Sequence, residues 1–439
     1  MNAIKVHRHT PRFSPQSDRV ILRPFIPGDS DSITAVINRA MAMTEDHVTL
    51  ALDEVRHEFN TRHIDVESIL LAHFEMIESY IPPTALMTPT RRHFIGALFS
   101  GEYALESAAL FNPSIVPHPD QSYTNAGDLR FIMSLRATGE GHISSIEFRS
   151  GIIAASGKII MDPISRFVTA PERSVSVLHS TTPQTRAGYD DSNYTLRFSE
   201  TLAMSERIIF PSSASESNGI EDARFVRFID DDGVVTYYAT YTAYNGRDIQ
   251  PQLIETKDFH TFKMSTFTGN ALQNKGMALF PRRINGKYAM LSRQDGENLY
   301  ILFSNTPHEW HNPTLLMQPA AVWESIKIGN CGSPIETPEG WLVLTHGVGP
   351  MRKYCIGAAL LDLNDPTQVL GRLKTPLLAP KGNEREGYVP NVVYSCGSLI
   401  HGKNLVLPYA MSDTASAIAT VEIDVLLAAI LKNFISEPR

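Results

Sequence analysis

Residues 218 to 228 read NGIEDARFVRF, which sets Glu221 and Asp222 side by side with Arg224 two places on. The stretch runs from a Ser/Asn/Gly-rich loop into an apolar alternation, so it reads as a turn entering a strand. A carboxyl group at such a place can serve as a general acid or base. Neighbouring side chains on a strand point to opposite faces, so one of the two acids is expected to face the chemistry and the other to face away. Other chemistries have weaker support. The segment HEWH, His308 to His311, lacks companion ligands and a helical context, and reads as a surface turn rather than a metal site. No phosphate-cradling Walker loop, no G-x-G-x-x-G after a strand and no G-x-S-x-G elbow occurs. Carboxylates and basic side chains, without a metal or organic cofactor, must carry any reaction.

The elements that would position these groups change along the chain. Ile33, Val36, Ile37, Ala40 and Met41 form a helical stripe, followed by a second with Val48, Leu52, Val55 and Phe59 behind Thr44 as N-cap. A third carries Leu70, Phe74, Ile77 and Ile81, capped by Asp65 and stopped by Pro82-Pro83. Residues 1–95 are therefore expected to form a helical extension whose stripes pack on the main body or on another subunit, as in a homo-oligomer. They could also wall off the site and limit substrate length.

From about residue 100 short alternating segments separated by Gly, Asn, Asp and Pro take over, an all-β texture. Five segments share a tight polar turn followed by an apolar strand: AGDLRFIMSLRA, DDGVVTYYATYTAY, NGKYAMLSRQ, EGWLVLTHGV and GKNLVLPYAM. Five such units predict a five-bladed β-propeller over 96–420, with a β-sandwich as the alternative. Residues 421–439, containing DVLLAAILKNF, are expected to form a closing helix packed on it. Soon after each turn glycine stands a polar or aromatic residue: Arg136, Tyr241, Arg293, His346 and Tyr409. Equivalent blades would project all five into one central funnel.

The bulk composition bounds partners. A net charge of −8 argues against a general nucleic-acid or anionic-membrane binder, so any anion site must be local. Cys331, Cys355 and Cys396 are odd in number, with no C-x-x-C, which suits reduced thiols in a cytoplasmic protein. The N-terminus lacks an apolar secretory core, and no run is long enough to span a bilayer.

GIEDAR, with YTAYNG, KGMALFPRRINGKYAMLSR, KIGNCGSPIETPEGWLVLTHGV, GAALLDLNDP and EGYVPNVVYSCG, resembles glycoside hydrolase family 130. That family comprises mannoside phosphorylases and β-mannosidases built on a five-bladed propeller. The resemblance runs in order from about residue 105 to 415 and leaves the helical N-terminus outside. It implies inverting attack at the anomeric carbon of a β-mannoside, with Asp222 as general acid acting through a sugar hydroxyl. Glu221 would then point toward a neighbouring blade or a sugar hydroxyl. Ala223 departs from the proline usual in the motif, which relaxes the backbone and leaves both acids and Arg224 in place.

An inverting hydrolase needs a second carboxylate to activate water, whereas phosphate arrives as an anion and needs a cationic cradle. Lys275, Arg293, Lys327 and His346 stand where the resemblance places phosphate ligands. Lys275 replaces an arginine common there and keeps the charge without the bidentate fork. Sugar contacts implied by the resemblance are Asn112, Arg136, Arg224 and Asp413, with Glu386 as a secondary candidate and Tyr241 and Tyr244 as stacking residues. The expected activity is thus phosphorolysis of β-linked manno-oligosaccharides to α-mannose 1-phosphate. Two rivals stand beside it: a β-mannosidase using Glu386 or Glu324 as base, and a glycan-binding propeller without turnover.

Overall fold

The computed structural model describes residues 4–10, 12–83, 85–175 and 191–432. The chain divides into two compact units. One comprises residues 1–15, 108–164 and 171–439, the other residues 16–107 and 165–170.

The larger unit is built from antiparallel meanders. The first runs through Ala109–Pro117, Leu129–Thr138 and Ser144–Ile153, with Ile159–Met161 at its edge. The second runs through Gly219–Ile229, Val235–Tyr244, Ile249–Thr256 and Thr261–Thr266, and Tyr194–Arg197 and Glu172–Val175 extend it. A parallel contact between Gly219 and Ser144 joins these two into one sheet. The third comprises Ala278–Leu279, Tyr288–Ser292, Leu299–Ser304 and Thr314–Met317, and the fourth Lys327–Asn330, Gly340–Val348, Tyr354–Leu361 and Val369–Arg372. The last runs through Val393–Tyr394, Asn404–Met411 and Ala415–Glu422, and Val6–Arg8 from the start of the chain completes it beside Ala415–Glu422. Every residue of Gly340–Val348 is buried, as expected of a strand covered on both faces.

Three buried glutamates fasten short turns in this unit. Glu216 is fully buried, accepts the backbone N–H groups of Ser212 and Ser213 (3.0 and 3.1 Å), and accepts the hydroxyls of Tyr194 and Tyr241. Glu324 accepts from the N–H groups of Ala320 and Ala321, and Glu384 from that of Lys381, from the Tyr409 hydroxyl and from Arg8. Tyr241 and Tyr409, expected in the funnel, therefore point into the sheets and hold Glu216 and Glu384. Side chains alternate along a strand, so an offset of one residue between copies reverses the face. Glu216→Ala would take their acceptor from the Tyr194 phenol and two N–H groups, while the Tyr241 hydroxyl keeps Gln252 Oε1. We expect a loss of about 3 kcal/mol or more in a denaturant-unfolding experiment.

The smaller unit holds α1 (Ser30–Met41), α2 (Glu45–Phe59), α3 (Val66–Ile77) and α4 (Pro89–Leu98), together with an antiparallel pair, Val20–Pro24 and Ser100–Ala104. Thr44 caps α2 as expected, its hydroxyl accepting from His47 N–H at 3.3 Å. Asp65 precedes α3 in a left-handed conformation, without a side-chain cap bond. The stripes pack on one another: Ile33, Ile37, Val48, Leu52, Leu70, Phe74 and Ile77 join Phe94, Ile95 and Phe99 in one core. These stripe residues are thus buried within the unit itself. A buried ion pair, Arg19 to Glu106 at 2.8 Å, ties its two ends. α5 (Ile423–Leu431) buries Ile423, Leu426, Leu427 and Ile430 in the core of the larger unit. All three cysteines are buried and free, and among the described residues no helix is long and apolar enough to cross a membrane.

Candidate active site

Two β-bulges shape the site. Pairing shifts register between Phe111 and Ser114 and again between Glu221 and Arg224. Within these bulges Asn112 and Asp222 adopt φ of +49° and +54°. Left-handed geometry in a non-glycine residue costs about 1 kcal/mol or more and is tolerated where the surroundings enforce it. Its consequence here is that the strict alternation of faces fails. Arg136 reaches both acids, Glu221 Oε1 at 2.8 Å and Asp222 Oδ1 at 3.4 Å. Glu221 does not point away as expected: it also accepts from Lys275 Nζ at 3.0 Å. Asp222 additionally accepts from Asn112 Nδ2 at 2.6 Å.

Asp222 lies on the wall of a cavity of about 180 Å³ shared by Asn112, Arg136, Lys275, Arg293, Lys327, His346 and Asp413. Eight residues singled out from sequence thus meet in one space. Arg293 follows the strand Tyr288–Ser292 and is 7% exposed, its Nε donating to the Lys275 carbonyl at 3.1 Å. Its packing needs glycine at two neighbouring positions. A Cβ on Gly276, whose φ is +98°, would lie 2.9 Å from Arg293 Nε, and one on Gly329 would lie 2.7 Å from its Cδ. Lys327 starts the strand paired with the one that carries His346 and lies with its Nζ 5.8 Å from the centre of the Tyr354 ring. Among the described residues neither Arg293 nor Lys327 has a carboxylate within ion-pair distance; Lys275 is paired with Glu221.

A second cavity, of about 230 Å³, shares Phe111, Arg136 and Asp413 with the first and adds Glu221, Tyr244, His142 and Tyr388. His142 and Tyr388 face each other with ring centres 5.5 Å apart. Arg224, expected to contact sugar, is instead buried behind Asp222. It donates to the Asp222 carbonyl at 3.3 Å and to the Tyr394 hydroxyl at 2.7 Å, and lines neither cavity. Glu386 is exposed and lines neither cavity, and Glu324 is engaged in its own turn. Sequence reasoning missed Arg352, Tyr354 and Tyr394, which complete the first cavity. Tyr354 and Tyr394 flank His346, with ring centres 6.2 and 5.0 Å from it. Arg352 sits in a turn with φ of +55° and carries no repeat signature.

The electrostatics separate the two carboxylates of the cavity. Burial pushes Asp222 up, but Arg136, Lys275 and Arg224, aided by the Asn112 hydrogen bond, outweigh it and hold the carboxyl at about 2. Burial and the charge of Asp222 push Asp413 up to about 6, against Arg136, Lys275 and Arg352. Burial first, then Arg293 and Arg224, drive His346 well below its ordinary value, so the imidazole is neutral.

These shifts predict stability. Between its ordinary 3.8 and about 6, folded Asp413 keeps a proton that the unfolded chain releases, so its contribution falls as pH rises through that window. Asp413→Asn removes the titration. It should unfold about 1–2 kcal/mol harder than the parent near pH 7.5, with the difference vanishing near pH 3.5. Asp222 acts oppositely: its contribution is full above 3.8 and is lost as pH falls toward about 2.

Residues 175–432 match the profile of glycoside hydrolase family 130, described as beta-1,4-mannooligosaccharide phosphorylase. A 1,2-beta-oligomannan phosphorylase of Thermoanaerobacter sp. is 34% identical over 54% of this chain and 78% of its own. A beta-1,2-mannobiose phosphorylase of Listeria innocua is 36% identical over 50% of this chain and 62% of its own. A solved beta-1,2-mannobiose phosphorylase from Listeria innocua overlays 75% of this chain and 93% of its own, with a TM-score of 0.52 at 22% identity, a likeness of fold. With more than half of its length matched to the family profile, including the strand that carries Asp222 together with Lys275, Arg293 and Lys327, the chain belongs to glycoside hydrolase family 130.

Proposed function

We propose that the protein is an inverting β-mannoside phosphorylase that transfers a mannosyl unit from a β-linked manno-oligosaccharide to inorganic phosphate. One observation carries this reading. Asp222 shares its cavity with Arg293 and Lys327, neither of which has a carboxylate partner among the described residues, and with the neutral imidazole of His346. Holding cations out of water without a counter-charge costs several kcal/mol per ion, which an arriving oxyanion offsets.

An unprotonated oxygen of hydrogen phosphate attacks the anomeric carbon from one side, and the bond to the leaving oxygen breaks on the other. Asp222 in its acid form supplies the proton to the leaving oxygen, relayed by a sugar hydroxyl. The products are α-mannose 1-phosphate and the shortened saccharide. The phosphate proton leaves with the sugar phosphate and passes to solvent, from which Asp222 is reloaded, so the balance closes. The neighbouring cations of the protein itself hold Asp222 ionised. Bound phosphate would bring further negative charge into the same cavity and so favour the acid form once the nucleophile is in place.

Asn112, Arg136 and Asp413 would grip the transferred mannosyl unit. Lys275, bridged by Glu221 toward the second cavity, would link the nucleophile and leaving-group sides. A hydrolytic reading would fall to Asp413, the other carboxylate in the cavity, since Glu324 and Glu386 line neither cavity. The two unpaired cations, Arg293 and Lys327, favour phosphate. The meanders support a five-bladed propeller, with the N-terminal strand Val6–Arg8 closing the last blade. Incubating purified protein with β-1,2- and β-1,4-mannobiose, with and without phosphate, tests the activity. Sugar phosphate formed only with phosphate is expected, and equal release of free mannose in both would overturn it.

A further inference from the structure

His346 is 1% exposed on the cavity wall, and its two ring nitrogens differ. Nδ1 lies 3.2 Å from the Asn330 carbonyl oxygen. A carbonyl only accepts, so Nδ1 must carry the hydrogen. In the neutral ring Nε2 is then a bare lone pair. It is buried and has no hydrogen-bond partner among the described residues. Gly329 holds the ring in place: a Cβ there would lie 2.4 Å from its Cε1 and 2.9 Å from Nε2. The tautomer is fixed by the backbone, since Asn330 and Gly329 belong to the strand paired with that of His346. Burial and the neighbouring cations disfavour protonation of the ring. The anion site thus combines donors, Arg293 and Lys327, with one obligate acceptor.

We propose that Nε2 of His346 accepts the P–OH hydrogen of hydrogen phosphate, so that the site selects a protonated oxyanion and rejects one that carries no proton. This rests on the phosphorylase reading and adds a selectivity to it. Sulfate matches phosphate in size and shape but is a bare dianion at neutral pH, and would set an oxygen lone pair against that of Nε2. Leaving a buried acceptor unpaired costs about tenfold to a hundredfold in affinity, or about 1.4–2.8 kcal/mol. The same contact would fix which phosphate oxygen is protonated and leave an unprotonated one to attack.

The test is thermal-shift or calorimetric titration of the full-length wild-type protein with phosphate, arsenate and sulfate, each alone, near pH 7.5. Arsenate carries a proton as phosphate does. It should bind within a few-fold of phosphate, and sulfate at least about tenfold more weakly. His346→Gln, whose amide can offer either a donor or an acceptor, should bring the sulfate-to-phosphate ratio toward one. Equal binding of sulfate and phosphate to the wild type overturns the assignment, as does an unchanged ratio in a folded His346→Gln variant. Failure of all three ions to bind would remove the anion site itself, and with it the phosphorylase reading.

Discussion

Asp222→Asn is expected to lower phosphorolysis by about a hundred- to ten-thousandfold, the range over which a general acid contributes. The amide keeps the shape of the side chain and one oxygen to accept from Asn112 and Arg136, so sugar binding should survive. It cannot deliver a proton, however. Side-by-side measurement of turnover and of mannobiose binding by calorimetry separates the two effects. A mannoside with a leaving group that needs no protonation should recover much of the lost rate. The outcome also bears on the non-catalytic alternative: a protein that only holds glycans would bind them before and after the change and turn over none. Asp222→Ala is a poorer probe, because it leaves Arg136 and Asn112 facing an empty space and removes the acceptor oxygen as well as the proton.

How far the sequence reaches depends on the kind of feature. Asp222, Lys275, Arg293, Lys327 and His346 could be named because their segments are long and ordered like those of the family, and all five line one cavity. The relation of Glu221 to Asp222 could not be read, because period-2 alternation assumes a regular ladder and a bulge removes it. Tyr241 and Tyr409 show the opposite limit. Their repeat positions were visible, but facing depends on a one-residue offset that repeat matching does not resolve. The glutamates they hold left a signal that was overlooked. Glu216, Glu324 and Glu384 each sit three residues after the residue that begins a short turn, where a capping carboxylate belongs. Arg352 left none, since its place follows from a left-handed turn between two strands. In the helical unit the stripes were legible, whereas the strand pair Val20–Pro24 and Ser100–Ala104 joins segments far apart in sequence.

Arg293→Met should produce two effects of opposite sign, and together they test the anion site more sharply than activity alone. Arg293 is 7% exposed, has no carboxylate partner among the described residues, and donates to a backbone carbonyl through Nε. Without phosphate its charge is a burden on the fold. Methionine retains much of the stem volume, so the variant should be more stable than the parent by about 1–3 kcal/mol in phosphate-free buffer. Adding phosphate should reverse the order. A charge-assisted hydrogen bond contributes about 1.5–3 kcal/mol, so losing one should raise the phosphate KM by about ten- to a hundredfold. The stabilisation that phosphate confers on the parent should shrink in the variant, because a ligand protects the fold only in proportion to its occupancy of the folded state. The mannoside KM should move little, since the sugar contacts lie with Asn112, Arg136 and Asp413. A variant that is less stable in phosphate-free buffer, and keeps its phosphate KM, would mean that Arg293 supports the fold and that the oxyanion is held elsewhere.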